Sequence, residues 1–460
     1  MAGIGFELQR VLRKGGMTSF LQVALSGVII VAGPWLLSII GIFLISRFAG
    51  FALKEGAGLF MGVIIYSYAF SLFIFGGTHY VVTRLISDLI YMEKKKESAA
   101  ALILASMVVI LLSGLVGFAG VLNIGAPELS HPFLFKISSL AFFVIINVLW
   151  LLMIFISLLK RFKSIFVVFL SGMIVSVIGL TLLSRPLALG GAMLGFALGQ
   201  LLTVILLFIL SFRDYPPGNP FKPAKELFKY FFRYRYLFLS GLFYYWGIWI
   251  DKIVYWLTVG EKVPGSFIRL FDLYDIPVYL ANLTMIPGLI YFVVVAETDF
   301  YLLLKAFLNS IGRDIYKTIQ ERKYKLIARM REGVREQAIF QGVMTIVFLI
   351  TAPVISESLF GGTLDANILR LTLVAAFFQL IFLTLMTLLF YFELYRYTAL
   401  SAFIYFLVNL SGSLLSLLLP GQAFFGASYV AAGVIASFTA GAFLFFASRS
   451  FERLILGRYS

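Results

Sequence analysis

Residues 240 to 256 read SGLFYYWGIWIDKIVYW, and this aromatic, apolar run carries a carboxylate and an ammonium group side by side at Asp251 and Lys252. Placing Asp or Lys at the centre of a membrane helix costs about 2.5 to 3.5 kcal/mol, so both groups call for water, partners or an exit. Adjacent residues on a helix point about 100° apart and are not expected to face each other. Lys252 lies roughly 10 Å of rise from the expected outer end, and its long stem can snorkel there. Asp251 has no such reach and is expected to face a wet interior or a basic group on another helix. Tyr245, Trp249, Lys252 and Trp256 follow one helical face. Aromatic rings stack on the apolar faces of sugars, while hydroxyls, carboxylates and ammonium groups bond sugar hydroxyls. The mixture suits a carbohydrate path. An interfacial aromatic belt is the alternative, and it accounts better for Tyr255 and Trp256 than for Tyr244 to Trp249.

Three further constellations carry polar chemistry. Glu297 and Asp299, in AETDFY, stand at the cytoplasmic end of an apolar run. Two positions apart, they project to different faces, so they fit the lining of an inner mouth or a solvated helix end rather than a paired acid and base. Gly33-Pro34-Trp35 interrupts the first apolar run. Pro34 removes a backbone hydrogen bond that lipid cannot replace, which marks a gate facing protein or water, with Trp35 beside the path, or a packing kink. Between residues 300 and 336, Leu304, Phe307, Leu308, Ile311, Ile315 and Ile319 form an apolar series, followed by Arg322, Lys323, Lys325, Arg329, Arg331 and Arg335. Such a segment suits an interfacial helix on headgroups or the docking of a cytoplasmic partner.

Catalytic signals are scarce. There is no cysteine and no P-loop, and the two histidines differ in setting: His79 lies in an apolar run without an acidic neighbour and His131 precedes a proline in a loop. Asp272 and Asp275 fall on the outer side of the expected topology. No catalytic residue, metal site or cofactor is assigned, and the expectation is a transporter, not an enzyme.

The elements that must position these groups follow from composition. With 61% hydrophobic and 13% charged residues over 460 positions, the chain reads as an all-α polytopic membrane protein. Apolar runs long enough to cross the bilayer fall near 20–46, 59–82, 99–122, 138–159, 164–184, 192–212, 236–258, 276–299, 337–360, 369–392, 398–419 and 427–447. Roughly 29 of the 37 basic residues then share one side, which makes that side, and both termini, cytoplasmic. The net charge of +15 is accounted for by this topology and by anionic headgroups of the lipid bilayer rather than by nucleic acid. The proline-rich basic stretch 213–235 reads as a cytoplasmic linker between two six-helix halves, 1–212 and 236–447, the second containing the long helical loop 300–336; 448–460 forms a tail. SGVIIVAGPW from Ser26 and SGLFYYWGIW from Ser240 share Ser, Gly, Gly and Trp at equal offsets. That repeat suits halves related by an axis along the membrane normal, with a substrate path between them.

MAGIGFELQRVL at the start, GPW in the first span, THYVVTRLISDLIY at 78–91, GIWIDKIVYW at 247–256 and ETDF at 297–300 together resemble the PelG family, the inner-membrane transport subunits of Pel exopolysaccharide assembly. The resemblance runs from the first residue past 300 and is weakest after about 340. It implies a fold similar to the multidrug and oligosaccharidyl-lipid flippase superfamily and a location in the bacterial inner membrane. It also implies a cytoplasmic glycosyltransferase partner, PelF-like, that extends a hexosamine-rich polymer, and regulatory membrane partners, PelD- and PelE-like, with cyclic di-GMP sensed indirectly. The family supplies no catalytic motif. Three readings stand: a conduit for a growing polysaccharide, a lipid-linked oligosaccharide flippase or ion-coupled exporter, and a membrane scaffold of the synthase that carries no substrate.

Overall fold

The structure, a computed structural model, describes residues 56–125, 129–159, 162–311, 313–362, 364–419, 424–449 and 451. Gly33, Pro34, Trp35 and the first copy of the repeat lie outside the described residues. The eleven other expected spans are largely helical, but 276–299 is broken at Thr284–Met285, 164–184 and 192–212 fall in one helical run, and 337–360 continues a helix that begins at Tyr316. Among the described residues, nine helical runs are long and apolar enough to cross a membrane. Their outer faces are apolar: in the helix Lys95–Leu122, Leu111, Leu115 and Phe118 are all exposed. A surface of this kind is stable against lipid and not against water.

The chain forms two compact units. The first in sequence holds residues up to Trp249 and again Tyr255–Phe271. It contains α1 (Ala57–Tyr91), α2 (Lys95–Leu122), α3 (Pro132–Leu159), α4 (Phe162–Asp214), α5 (Ala224–Arg233), most of α6 (Arg235–Thr258), and the hairpin β1 (Glu261–Lys262) and β2 (Arg269–Leu270), paired antiparallel. Its core joins α1, α3 and α4 through Phe60, Phe142 and Phe196, whose rings meet at 5.9 and 5.0 Å. The 53-residue α4 is two helices in one: the backbone leaves helical geometry at Ala188 (φ 47°), just after Pro186. The two limbs pack glycine on glycine, since a Cβ on Gly179 would stand 2.8 Å from the Gly195 Cα. Only small residues permit that approach between membrane helices. Across the same seam Gln200 donates to Ser176 Oγ at 3.2 Å and Ser176 to the Phe196 carbonyl at 3.2 Å.

The segment 213–235, read from sequence as a linker, contains α5 and is held on its neighbours by three polar contacts, one from the helix and one from either side of it. The Tyr230 hydroxyl donates to Asp88 Oδ2 at 3.0 Å, Lys222 pairs with Glu97 at 2.7 Å, and Arg84 lies over the Tyr234 ring at 5.5 Å. Burial, then the hydrogen bond to Asp88, pushes the Tyr230 hydroxyl up to about 12. The α1–α2 turn closes with Lys94 N–H to Leu89 O and Glu93 N–H to Ile90 O, the double bond pattern of a Schellman end. Its left-handed position is filled by Glu93 (φ 59°), where glycine is usual.

The second unit holds Ile250–Val254 and, from Asp272 onward, α7 (Asp272–Leu283), α8 (Ile286–Tyr291), a π turn (Phe292–Ala296), α9 (Glu297–Ile311), α10 (Tyr316–Phe360), α11 (Ala366–Tyr391), α12 (Tyr395–Ser416) and α13 (Ala427–Arg449). The helical character expected for 300–336 is present but divided between α9 and α10. At 45 residues, α10 is about 68 Å long, more than twice a 30 Å hydrocarbon core, so its basic first half and the ninth expected span are one continuous helix. α10 stops at Gly361 (φ 57°), and Asp365 caps α11 by accepting from Asn367 N–H at 2.7 Å. The α12–α13 contact is again between small residues, with Ser413 and Ser428 hydroxyls 3.0 Å apart.

Candidate functional site

α6 supplies the charged pair, and the structure buries it among polar partners. Asp251 is fully buried and Lys252 is 6% exposed. Lys252 Nζ lies 3.1 Å from Asp251 Oδ1, and the Lys252 N–H donates to the same oxygen at 2.9 Å. The Tyr274 hydroxyl of α7 donates to Asp251 Oδ2 at 2.5 Å. The ammonium also lies 5.3 Å from the centre of the Tyr429 ring and 5.9 Å from that of Tyr274. Beyond it, the Tyr429 hydroxyl meets Gln379 Oε1 and, at 3.3 Å, Asn282 Oδ1. The result is a neutral, hydrogen-bonded cluster drawn from α6, α7, α11 and α13, of the kind that makes buried charge tolerable.

Three sequence expectations change here. Asp251 does not face a wet interior, Lys252 does not snorkel, and the two do meet although their Cβ atoms diverge. The reason is reach: the short carboxylate folds back on the next backbone N–H, and the four-carbon lysine stem bends to it.

The charged pair and the aromatic residues of α6 fall in different units. Lys252 belongs to the cluster just described, whereas Tyr245, Trp249 and Trp256 belong with α1. There Trp256 is buried and stacks on Tyr66 with centroids 4.8 Å apart, and Trp246 donates to the Phe73 carbonyl at 2.7 Å. Tyr245 sits against Gly76 and meets Tyr80 edge-on at 6.4 Å. Gly77 admits Phe238: a Cβ there would stand 2.6 Å from its carbonyl oxygen. Much of this aromatic run is therefore interhelical packing, in which glycine notches on α1 receive rings from α6. Tyr245 and Trp249 remain half-buried, with Trp249 6.3 Å from Trp256.

Glu297 and Asp299 point apart, as their spacing requires. Glu297, at the end of the π turn, is 2% exposed and accepts from the Tyr391 hydroxyl at 2.5 Å. Its other oxygen, Oε2, has no hydrogen-bond partner among the described residues. π turns recur at functional positions because they displace one residue of the helical register. Asp299 instead pairs with Arg329 at 2.9 Å. Arg329 also reaches Glu332 at 3.2 Å and Glu336 at 3.1 Å, and Tyr291 donates to Glu336 at 3.0 Å.

The basic residues assigned to partner docking are consequently unequal. Arg329 is engaged by three carboxylates, Lys323 is buried and donates to the Arg449 carbonyl at 3.4 Å, and Arg322 binds Asp314 at 3.1 Å and the Ala306 carbonyl at 2.9 Å. Lys325, Arg331 and Arg335 are exposed. His79 is buried with no hydrogen-bond partner at Nε2 among the described residues, and His131 is exposed. No grouping of residues suited to a metal ion occurs among the described residues. Tyr274, Tyr391, Gln379 and Tyr429, which complete the buried clusters, carried no sequence signal because their partners lie far away along the chain.

Nine long apolar helical runs among the described residues, outward apolar faces and a buried ion pair belong to a multi-pass membrane protein, and the fold is similar to that of solved membrane transporters. The chain is similar to the Vibrio cholerae MATE transporter VcmN in its bent form, at 12% identity and a TM-score of 0.65, over 98% of this chain and 99% of that one. It is similar as well to a multidrug resistance MATE family transporter of the MOP superfamily in its inward-facing conformation (10% identity, TM-score 0.56, 94% and 99% covered) and its outward-facing conformation (11%, 0.54, 93% and 96%). No curated protein sequence matches the chain. The model of the PelG family, described as "Putative exopolysaccharide Exporter (EPS-E)", matches residues 1–455, and the chain belongs to that family.

Proposed function

We propose that this protein moves a growing, hexosamine-rich exopolysaccharide across the bacterial inner membrane, with both termini cytoplasmic and twelve spans in two six-helix halves. Membership of the exporter family over nearly the whole chain is the observation that carries this reading. Polymerisation belongs to a cytoplasmic glycosyltransferase, for which the exposed cations Lys325, Arg331 and Arg335 on the projecting part of α10 offer a docking face. PelD- and PelE-like membrane subunits supply regulation. Tyr245 and Trp249, half-buried rings on α6, are the stacking surfaces this reading assigns to sugar.

The mode of transport is a separate question. A standing conduit past Asp251 needs water at that carboxylate, and Asp251 is fully buried. Alternating access needs a helix that can exchange one set of buried contacts for another, and the fold resembles transporters captured facing inward and outward. The sealed Asp251 cluster favours this second reading.

The test is reconstitution of the chain in vesicles with its glycosyltransferase and nucleotide sugar. Polymer protected inside the vesicles is expected. Synthesis with all polymer left on the outside would reject export and leave the scaffold role.

A further inference from the structure

The exposed face of α5 is the feature that transport leaves unused. Leu227 is buried beneath the helix, while Phe221, Phe228 and Phe232 are 69, 66 and 67% exposed. Phe228 and Phe232 touch each other, with centroids 4.9 Å apart. Interleaved with them are the exposed side chains of Lys225, Lys229 and Arg233, with Arg235 following. Spacings of three and four residues put Lys225, Phe228, Lys229 and Phe232 on one continuous patch. The acid within the helix, Glu226, is half-buried.

The level of the helix is fixed by its attachments. α1 ends at Tyr91, α2 begins at Lys95, α4 ends at Asp214 and α6 begins at Arg235. These span ends share one membrane face, and α5 is bound there through Tyr230 to Asp88 and, just before it, Lys222 to Glu97. Close approach reinforces the position, because a Cβ on Gly218 would stand 2.8 Å from the Lys96 carbonyl oxygen. A short helix at the bilayer boundary, with Phe228, Phe232 and a cationic fringe outward and Phe221 exposed in the turn before it, meets the requirements of an in-plane amphipathic element.

We propose that α5 binds anionic phospholipid, with Phe221, Phe228 and Phe232 in the acyl boundary and Lys225, Lys229 and Arg233 on lipid phosphate. The three cations supply the preference for anionic over zwitterionic headgroups, since basic side chains near a membrane surface gain from its negative potential. The rings supply insertion depth. The contact anchors the connection between α4 and α6 to the membrane plane.

The chain contains no cysteine, so a single Phe232→Cys substitution in the full-length protein can be labelled uniquely with an environment-sensitive fluorophore. In vesicles of phosphatidylcholine with phosphatidylglycerol, the label is expected to shift to the blue and to be quenched by spin-labelled lipid rather than by iodide. Phosphatidylcholine alone is expected to give weaker quenching, and Lys225→Glu, Lys229→Glu and Arg233→Glu together should abolish the difference. A label open to iodide in both membranes would overturn the proposal, as would equal lipid quenching in both. Protection that arises only on adding a glycosyltransferase would assign the face to a protein and overturn it too. Phe228→Cys gives an independent position should the first variant fail to fold, and none of these readouts depends on transport.

Discussion

Arg329 Nη2 donates to Asp299 Oδ2 at 2.9 Å, so a residue of α10 read from sequence as free to dock a partner is tied to the carboxylate read as the inner mouth of α9. Glu332 and Glu336 share the same guanidinium. Arg329→Ala leaves three carboxylates without their common cation and is expected to destabilise the protein by about 1–2 kcal/mol, allowing for solvent screening of partly exposed groups. Arg329→Lys should recover only part of this, because an ammonium cannot fork to several acceptors. Thermal unfolding in nanodiscs measures both, and an unchanged midpoint for Arg329→Ala would contradict the assignment.

Lys325, Arg331 and Arg335 behave differently if they face a partner. Reversing Lys325 and Arg335 to glutamate, and leaving Arg331, which lies 5.6 Å from the centre of the Phe445 ring, is expected to lower co-purification of the glycosyltransferase with the unfolding midpoint nearly unchanged, as for exposed charges generally. Equal recovery of the partner with the wild-type and reversed proteins would remove this docking face.

Asp251 and Lys252 form a buried pair, for which loss of one member is worse than loss of both. Asp251→Leu or Lys252→Met alone should cost about 3–5 kcal/mol, whereas the double substitution should cost much less. A double-mutant cycle in unfolding free energy tests this, and strictly additive effects would mean that the two charges do not compensate each other. Tyr274→Phe, which removes the hydroxyl at 2.5 Å from Asp251, is expected to cost about 1.5–3 kcal/mol.

Glu93 occupies a left-handed turn position with its side chain exposed. Glu93→Gly should stabilise the α1–α2 turn by about 1 kcal/mol, and Glu93→Val should destabilise it, since only glycine adopts this backbone without a Cβ penalty. A lower midpoint for the glycine variant would show that the carboxylate contributes more than the turn strain removes.

The seam of α4 tolerates no added bulk. Gly195→Leu is expected to part the two limbs and lower the yield of folded protein, with Leu198→Ala on the exposed side of the same helix as the control. Equal midpoints and yields for the two variants would mean that glycine contact does not set the hairpin.

By itself the sequence determined the class of the molecule and, among the described residues, where most of its long apolar helices lie. Runs of about 20 apolar residues admit no other satisfied backbone in lipid than helix, and that constraint acts locally, so each run can be read without knowing its neighbours. It also marked Asp251, Lys252 and Glu297 as charges in need of an explanation, and it exposed the family resemblance that the match over residues 1–455 bears out. Tertiary structure alone decided what satisfies those charges. Tyr274, Tyr429 and Tyr391 reach them across long chain separations, and a side chain's partner depends on packing between helices, which periodicity does not encode. The same holds for α6, whose aromatic run and charged pair adjoin in sequence yet part in the fold, rings such as Tyr245 packing on glycines of α1 and the Lys252 ammonium lying near the rings of Tyr274 and Tyr429. Local hydrophobicity sets which segments enter the membrane; only the meeting of distant surfaces sets which of their polar groups stay dry.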